Sequence, residues 1–181
     1  MRHWTDRAQP RPIAIGTPDP AQRTLYTAEE KRRRDASRWT LVQGVLAPLQ
    51  FLVFLVSLAL VLRFLATGEG LLAATASVVV KTFVLYTIMV TGSIWEKEVF
   101  GVYLFARPFF WEDVFSMLVL ALHTAYLLAV LTGTLNPTQQ MLLALAAYAA
   151  YVINAGQFLL KLRAARLQAA RDLTPPAGAR A

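Results

Sequence analysis

The chain has no cysteine among its 181 residues, so disulfides, thiolate metal sites and a cysteine nucleophile are excluded. Histidine is almost as scarce. Only His3 and His123 occur, and His3 lies in a Pro-rich terminal stretch, so a bis-histidine haem within one subunit lacks a second ligand. Charged residues make up 16% of the chain against 56% apolar, a balance too greasy for a soluble domain of this length. There is no GxxxxGK[ST] phosphate loop, no GxSxG elbow and no HExxH helix, which leaves nucleotide hydrolysis, serine-hydrolase and zincin chemistry without support. The N-terminus, MRHWTDRAQPRP, lacks the apolar core of a signal peptide and reads as a short disordered tail.

What is present is four apolar runs, at about Trp39–Leu65, Leu71–Trp95, Trp111–Leu131 and Gln139–Leu160. Each is close to the ~20 residues that carry a helix across a bilayer. The expected fold is an all-α, integral-membrane bundle of four transmembrane helices occupying residues 27–167, with residues 1–26 and 168–181 as tails. Thr27-Ala-Glu-Glu30 has capping-box spacing, so a short basic helix should begin there and lead toward the first span. Nine of the 18 Lys/Arg precede Trp39 and five follow Ile153, while the connection TGTLNPTQ between the third and fourth runs carries no charge. That asymmetry predicts both termini on the cytoplasmic side of an inner membrane. Trp39, Trp95 and Trp111 then fall at the same interface, where indoles prefer to sit. The net charge of +7 thus reports topology, and no aromatic–basic interleaving points to nucleic acid.

The polar residues inside the runs carry the information about function. Lys81 and His123 both fall near the bilayer midplane, where facing lipid is costly, so they should turn into the bundle and find partners. Gln43, Gln50 and Ser57 repeat every seven residues, and Tyr151, Asn154, Phe158 and Lys161 share a face at helical spacing. Interhelical hydrogen bonding is the plain explanation for the Gln, Ser, Asn and Tyr residues. Eleven residues at about 100° each bring His123 back to the face of Glu112, about 16 Å deeper. Between the second and third runs, WEKEVFGVYLFARPFFWED gathers Glu96, Lys97, Glu98, Arg107, Glu112 and Asp113 among aromatics. It has the makeup of a site rim, although first-turn acids also complement a helix dipole. The chemistry left open is acid–base work on an apolar substrate.

Four ordered blocks, WTLVQGVLAPLQFLVFLVSLALVLRFLATG, ASVVVKTFVLYTIMVTGSIWEKEVFG, YLFARPFFWEDVFSMLVLALHTAY and AAYVINAGQFLLKLRAARL, resemble the vinyl-bacteriochlorophyllide hydratase family of bacteriochlorophyll biosynthesis. The resemblance runs from about Tyr26 to Leu167. It implies a membrane enzyme of a phototrophic bacterium that adds water across the C3-vinyl group of a chlorophyllide-type tetrapyrrole, giving a hydroxyethyl group. On that reading the only metal is the magnesium carried by the substrate, and no separate cofactor is implied.

Such a reaction needs a protonated acid, a group to position water and a slot for the ring. Glu112 is the first choice as acid, with Glu96 or Asp113 as its partner. His123 is placed to contact the substrate magnesium, directly or through water, or to accept the proton from attacking water. Lys81 would pair with a substrate carboxylate or a buried acid, and Lys81, Arg107 and Lys161 are the cations available to the substrate propionate. Phe109, Phe110, Trp111, Tyr103, Phe105 and Phe115 would form the slot or act as interfacial anchors, and Gln50, Tyr151 and Asn154 would line the substrate site. A non-enzymatic pigment carrier or assembly factor is the alternative, and a proton-linked transporter has little support without repeats or broken helices. A polar stripe on each helix leaves room for a homo-oligomer, and a pathway enzyme of this kind would meet its neighbours in pigment synthesis.

Overall fold

A computed structural model describes the backbone of residues 25–172 and the side chains of residues 25–167. Most of both expected tails, and His3 with them, lie outside the described residues. The described chain is all-helical: α1 (Ala28–Ala36), α2 (Arg38–Thr67), α3 (Leu71–Phe100), α4 (Phe110–Thr132) and α5 (Pro137–Asp172). The last four are each long and apolar enough to cross a membrane.

Helix α1 starts where the capping box predicts. Thr27 Oγ1 accepts from the Glu30 N–H at 3.2 Å, and the Glu30 carboxylate accepts from the Thr27 N–H at 2.7 Å. It does not run on into the first span. Ser37 adopts an extended conformation, ends α1 and caps α2, its hydroxyl oxygen accepting from the Trp39 N–H at 3.2 Å. The same hydroxyl donates to Glu98 at the far end of α3 at 2.6 Å, so one serine ties α1, α2 and α3 together. Pro48, the kink signal in the first run, sits within an unbroken α2.

Helices α2 and α3 form one hairpin and α4 and α5 another, and the two hairpins meet through α2–α5 and α3–α4 contacts. The α2–α3 turn is made by Gly68 and Gly70, both at positive φ (74° and 81°), which only glycine adopts without Cβ strain. Phe54, Val61, Val78, Val119, Met141 and Tyr148 fill the centre, while Leu52, Val56, Phe83, Leu128 and Leu159 point outward as the face suited to lipid. Since apolar residues lie on both sides of every helix, polar pairs do much of the work of fixing rotation. Gln43 donates to Thr91 at 2.7 Å and Trp95 donates to Thr40 at 2.9 Å, joining α2 to α3, and Tyr86 hydrogen-bonds Thr124 at 2.8 Å between α3 and α4.

Ser37→Ala removes the α2 cap and the tie to Glu98 together. It is expected to lower stability by about 1–2 kcal/mol, measured as a reduced midpoint of thermal unfolding in detergent; an unchanged midpoint would refute the role given to Ser37.

Candidate active site

Helix α3 ends at Gly101, whose φ of 84° reverses the chain, and α4 begins at Phe110. The loop between them must satisfy its backbone N–H groups without a strand or helix to pair with. Two carboxyl groups do this. The Phe105 N–H donates to Asp113 Oδ2 at 2.7 Å, and the Ala106 N–H donates to Glu96 Oε2 at 3.2 Å. Phe105 is held at φ 61°, the one non-glycine in the left-handed region among the described residues, at a cost of roughly 1–2 kcal/mol. Glu96, from the last turns of α3, and Asp113, from the first turn of α4, are nearly buried, at 6% and 4% exposure. Because they accept from consecutive N–H groups of one loop, the two carboxyl groups are held side by side.

Glu112 is one residue away and has a different partner. Lys161, arriving on α5, donates to Glu112 Oε2 at 2.5 Å, and its ammonium also reaches the Pro108 carbonyl and lies 5.1 Å from the Phe109 ring centroid. The mouth therefore gathers three acids and one lysine from α3, α4 and α5. Phe109 is the hub of the aromatic packing around them, stacked on Phe158 (5.8 Å) and in contact with Trp95, Phe100 and Tyr26. Tyr26 stacks on Phe100 at 5.7 Å and carries the Arg34 guanidinium 4.7 Å above its ring. Burial pushes the Tyr26 hydroxyl above its ordinary pKa, against the opposing pull of Arg34, so it stays neutral.

The aromatics expected as a slot do not share one environment, and Phe115 is half-buried on α4. Phe109 is 2% exposed and already stacked on protein rings, which leaves it no free face. Tyr103, Phe105, Phe110 and Trp111 are exposed, with Phe105–Phe110 and Phe110–Trp111 in ring contact. Arg107 stands in the 3-10 turn Arg107–Phe109, exposed and without a charged partner among the described residues.

Deeper in the bundle, Lys81 and His123 turn inward and meet. Lys81 Nζ lies 3.1 Å from His123 Nε2, and both side chains are fully buried. His123 Nδ1 is 2.8 Å from the Val119 carbonyl, which can only accept, so Nδ1 carries the proton and Nε2 accepts from Lys81. Lys81 thus has an imidazole partner where the sequence suggests a substrate carboxylate or a buried acid, with the Tyr151 and Tyr148 rings 4.1 and 5.4 Å from its ammonium. Both imidazole nitrogens are engaged, and no face of the ring is open to a macrocycle. One turn further in, Ser57 hydrogen-bonds Tyr148 (2.5 Å) and Ser77 (2.7 Å).

Between the mouth and this pair, Asn154 donates to Ser116 at 2.8 Å, and Gln50 is buried on α2. Sequence reasoning missed Tyr26, Tyr148 and Gln157. Tyr26 looked like the edge of a tail, and its stacking partner is 74 residues away in the chain. Helical spacing placed Tyr148 three residues before Tyr151, the signal by which it could have been found.

Comparison with known proteins agrees with the resemblance. Residues 26–164 match the family model described as 2-vinyl bacteriochlorophyllide hydratase. The chain is 70% identical over 151 residues, 83% of its length and 94% of the relative's, to a 2-vinyl bacteriochlorophyllide hydratase of Cereibacter sphaeroides. It is 68% identical over 154 residues, 85% of its length and 90% of the relative's, to the protein of that name from Rhodobacter capsulatus. No solved structure matches.

The closed geometry around Lys81 and His123 makes them an interhelical pair, so either one left alone would be a buried polar group without its partner. Lys81→Met and His123→Leu should each destabilise the protein by ~1–3 kcal/mol, and the double variant should cost less than the sum. Unfolding in detergent across the double-mutant cycle tests this, and additive losses would mean that the pair is not coupled.

Proposed function

We propose that this chain, which belongs to the 2-vinyl bacteriochlorophyllide hydratase family, protonates the substrate vinyl group with a proton held between Glu96 and Asp113. The overall reaction is the family's: the chain is a hydro-lyase that hydrates the vinyl group of bacteriochlorophyllide in bacteriochlorophyll biosynthesis. The proposal concerns which residues perform it. One observation carries it: two nearly buried carboxyl groups accept from the consecutive N–H groups of Phe105 and Ala106 and so sit side by side at the mouth. Two carboxylates only accept and repel each other, so a pair held side by side in a nearly buried place favours a proton on one of them. That proton is the acid the reaction requires.

The vinyl π pair takes the proton at the terminal carbon, forming a methyl group and leaving a cation on the carbon attached to the ring. The conjugated macrocycle spreads that charge, and the nearby carboxylates stabilise it through space. Water adds to the cationic carbon through oxygen, then releases a proton that restores the carboxyl pair. The acid is regenerated in each turnover. Glu112 is engaged in an ion pair with Lys161, which makes it a poorer donor than a carboxyl held beside a second acid. We therefore rank the Glu96–Asp113 pair above Glu112, the reverse of the order suggested by sequence.

Arg107, exposed and unpaired among the described charges, is the best placed of the three cations to meet a substrate propionate, because Lys161 is engaged and Lys81 is buried. The exposed rings of Tyr103, Phe105, Phe110 and Trp111 offer the macrocycle a flat apolar rim. His123 and Lys81 brace the bundle beneath it. The mouth and both termini lie on the cytoplasmic side of the inner or intracytoplasmic membrane, as the distribution of basic residues favours.

Turnover of the vinyl pigment in oxygen-18 water, read by mass spectrometry, tests the assignment. Asp113→Asn and Glu96→Gln, which keep an oxygen for the loop N–H groups, should lose ~10²–10⁴-fold in rate, and Glu112→Gln should lose much less. A larger loss in Glu112→Gln than in either of the others would return the acid role to Glu112. Orientation can be tested separately, because the chain has no native cysteine: with an impermeant maleimide, Ala164→Cys should label only from the cytoplasmic face and Thr134→Cys only from the opposite face.

A further inference from the structure

Hydration consumes a second substrate, and the side chains just inside the mouth have the chemistry to hold it. Asn154 Oδ1, Gln157 Oε1 and Gln50 Oε1 are buried oxygens without a hydrogen-bond partner among the described residues. Gln50 is itself only 2% exposed. Asn154 uses its amino group on Ser116, whose hydroxyl accepts at 2.8 Å and keeps its own proton to give. Ser116 is 4% exposed and lies one helical turn below Asp113, three residues along the same face of α4. Gln157 lies one turn below Lys161, the partner of Glu112.

The register of α2 against α5 brings Gln50 to the same level. Phe54 packs on Tyr148 and Tyr151, with centroids 5.4 and 5.0 Å apart. One turn toward the mouth from Phe54 is Gln50, and one turn toward the mouth from Tyr151 on antiparallel α5 is Asn154. Two helices, α2 and α5, thus carry unpaired amide oxygens to the level just inside the carboxyl pair, where α4 adds the Ser116 hydroxyl.

We propose that Ser116, Asn154, Gln157 and Gln50 form the binding site of the water that adds to the vinyl group. Three acceptor oxygens and one hydroxyl call for an occupant that donates more than it accepts. Carbonyl and carboxylate groups at the edge of a tetrapyrrole only accept, so they would leave the three buried oxygens unpaired. Water fits: it donates both hydrogens to amide oxygens and keeps a lone pair for the carbon cation. Buried waters of this kind typically make about three hydrogen bonds. The amide oxygens orient the water and draw on its hydrogens as its oxygen bonds to carbon, and the proton released passes to the carboxylate. These are positioning residues, and their role rests on the Glu96–Asp113 reading above.

The test separates protonation from water addition. In deuterium oxide, a cation that forms but is not trapped loses a proton again and returns vinyl pigment carrying deuterium at its terminal carbon. Purified full-length protein would be incubated with the vinyl pigment in deuterium oxide, and recovered substrate and product both read by mass spectrometry. Gln157→Met and Gln50→Met are near-isosteric and remove only an unpaired group, so thermal stability should hold or rise. Hydration should fall on the order of tenfold to a hundredfold, while deuterium entry into recovered substrate continues, so the ratio of exchange to hydration rises. Hydration and exchange falling in proportion, hydration left unchanged, or lowered stability accounting for the loss would each overturn the water site. The carboxyl reading fails on a different result: deuterium exchange that persists in Glu96→Gln and Asp113→Asn.

Discussion

The interior of a bilayer offers no hydrogen-bond partner, and polar side chains of the four long helices pair across the bundle under that constraint. Apolar packing alone does not tell a membrane helix which way to face, because lipid tails are as apolar as leucine. Here the polar groups decide it. Gln43–Thr91, Ser116–Asn154, Lys81–His123 and Ser57–Tyr148 form a ladder through the bundle, and each rung joins two helices. Broad apolar faces are left outward for lipid.

At the mouth the same constraint gathers the acids. A loop that leaves α3 and returns as α4 has exposed backbone donors and a left-handed Phe105, and it is held in place by acceptors from the two helices it connects. Glu96 and Asp113 supply those acceptors. Fixing the loop also brings two acids together in a partly dehydrated place, where a shared proton has value. The atoms that fix the loop are those to which the proposal assigns the acid, and the strained backbone of Phe105 lies beside them.

A hydratase for a flat apolar pigment faces two opposed demands, since the macrocycle partitions into the membrane and the second substrate is water. On the proposed reading the boundary of the bundle meets both. Exposed aromatic rings lie on the rim, charged groups lie just behind them, and polar amides lie one layer deeper. Lys81 and His123 lie deeper still, closed off by Tyr148 and Tyr151, in a place suited to holding helices together.

The sequence by itself determined the number of long apolar helices, the capped start of α1, the inward stripes of α2 and α5, and the family to which the chain belongs. These are properties of composition and short periodicity, which a linear reading captures. It also marked Lys81, His123 and the acids as residues needing an explanation. Partners were beyond its reach: Lys81 and His123 are 42 residues apart, Glu112 and Lys161 49, and Ser37 and Glu98 61. Two adjacent acids, Glu112 and Asp113, look alike in a sequence. Only the tertiary structure gave one of them a lysine and the other a second carboxyl group, because neighbouring residues on a helix point about 100° apart and so meet different helices.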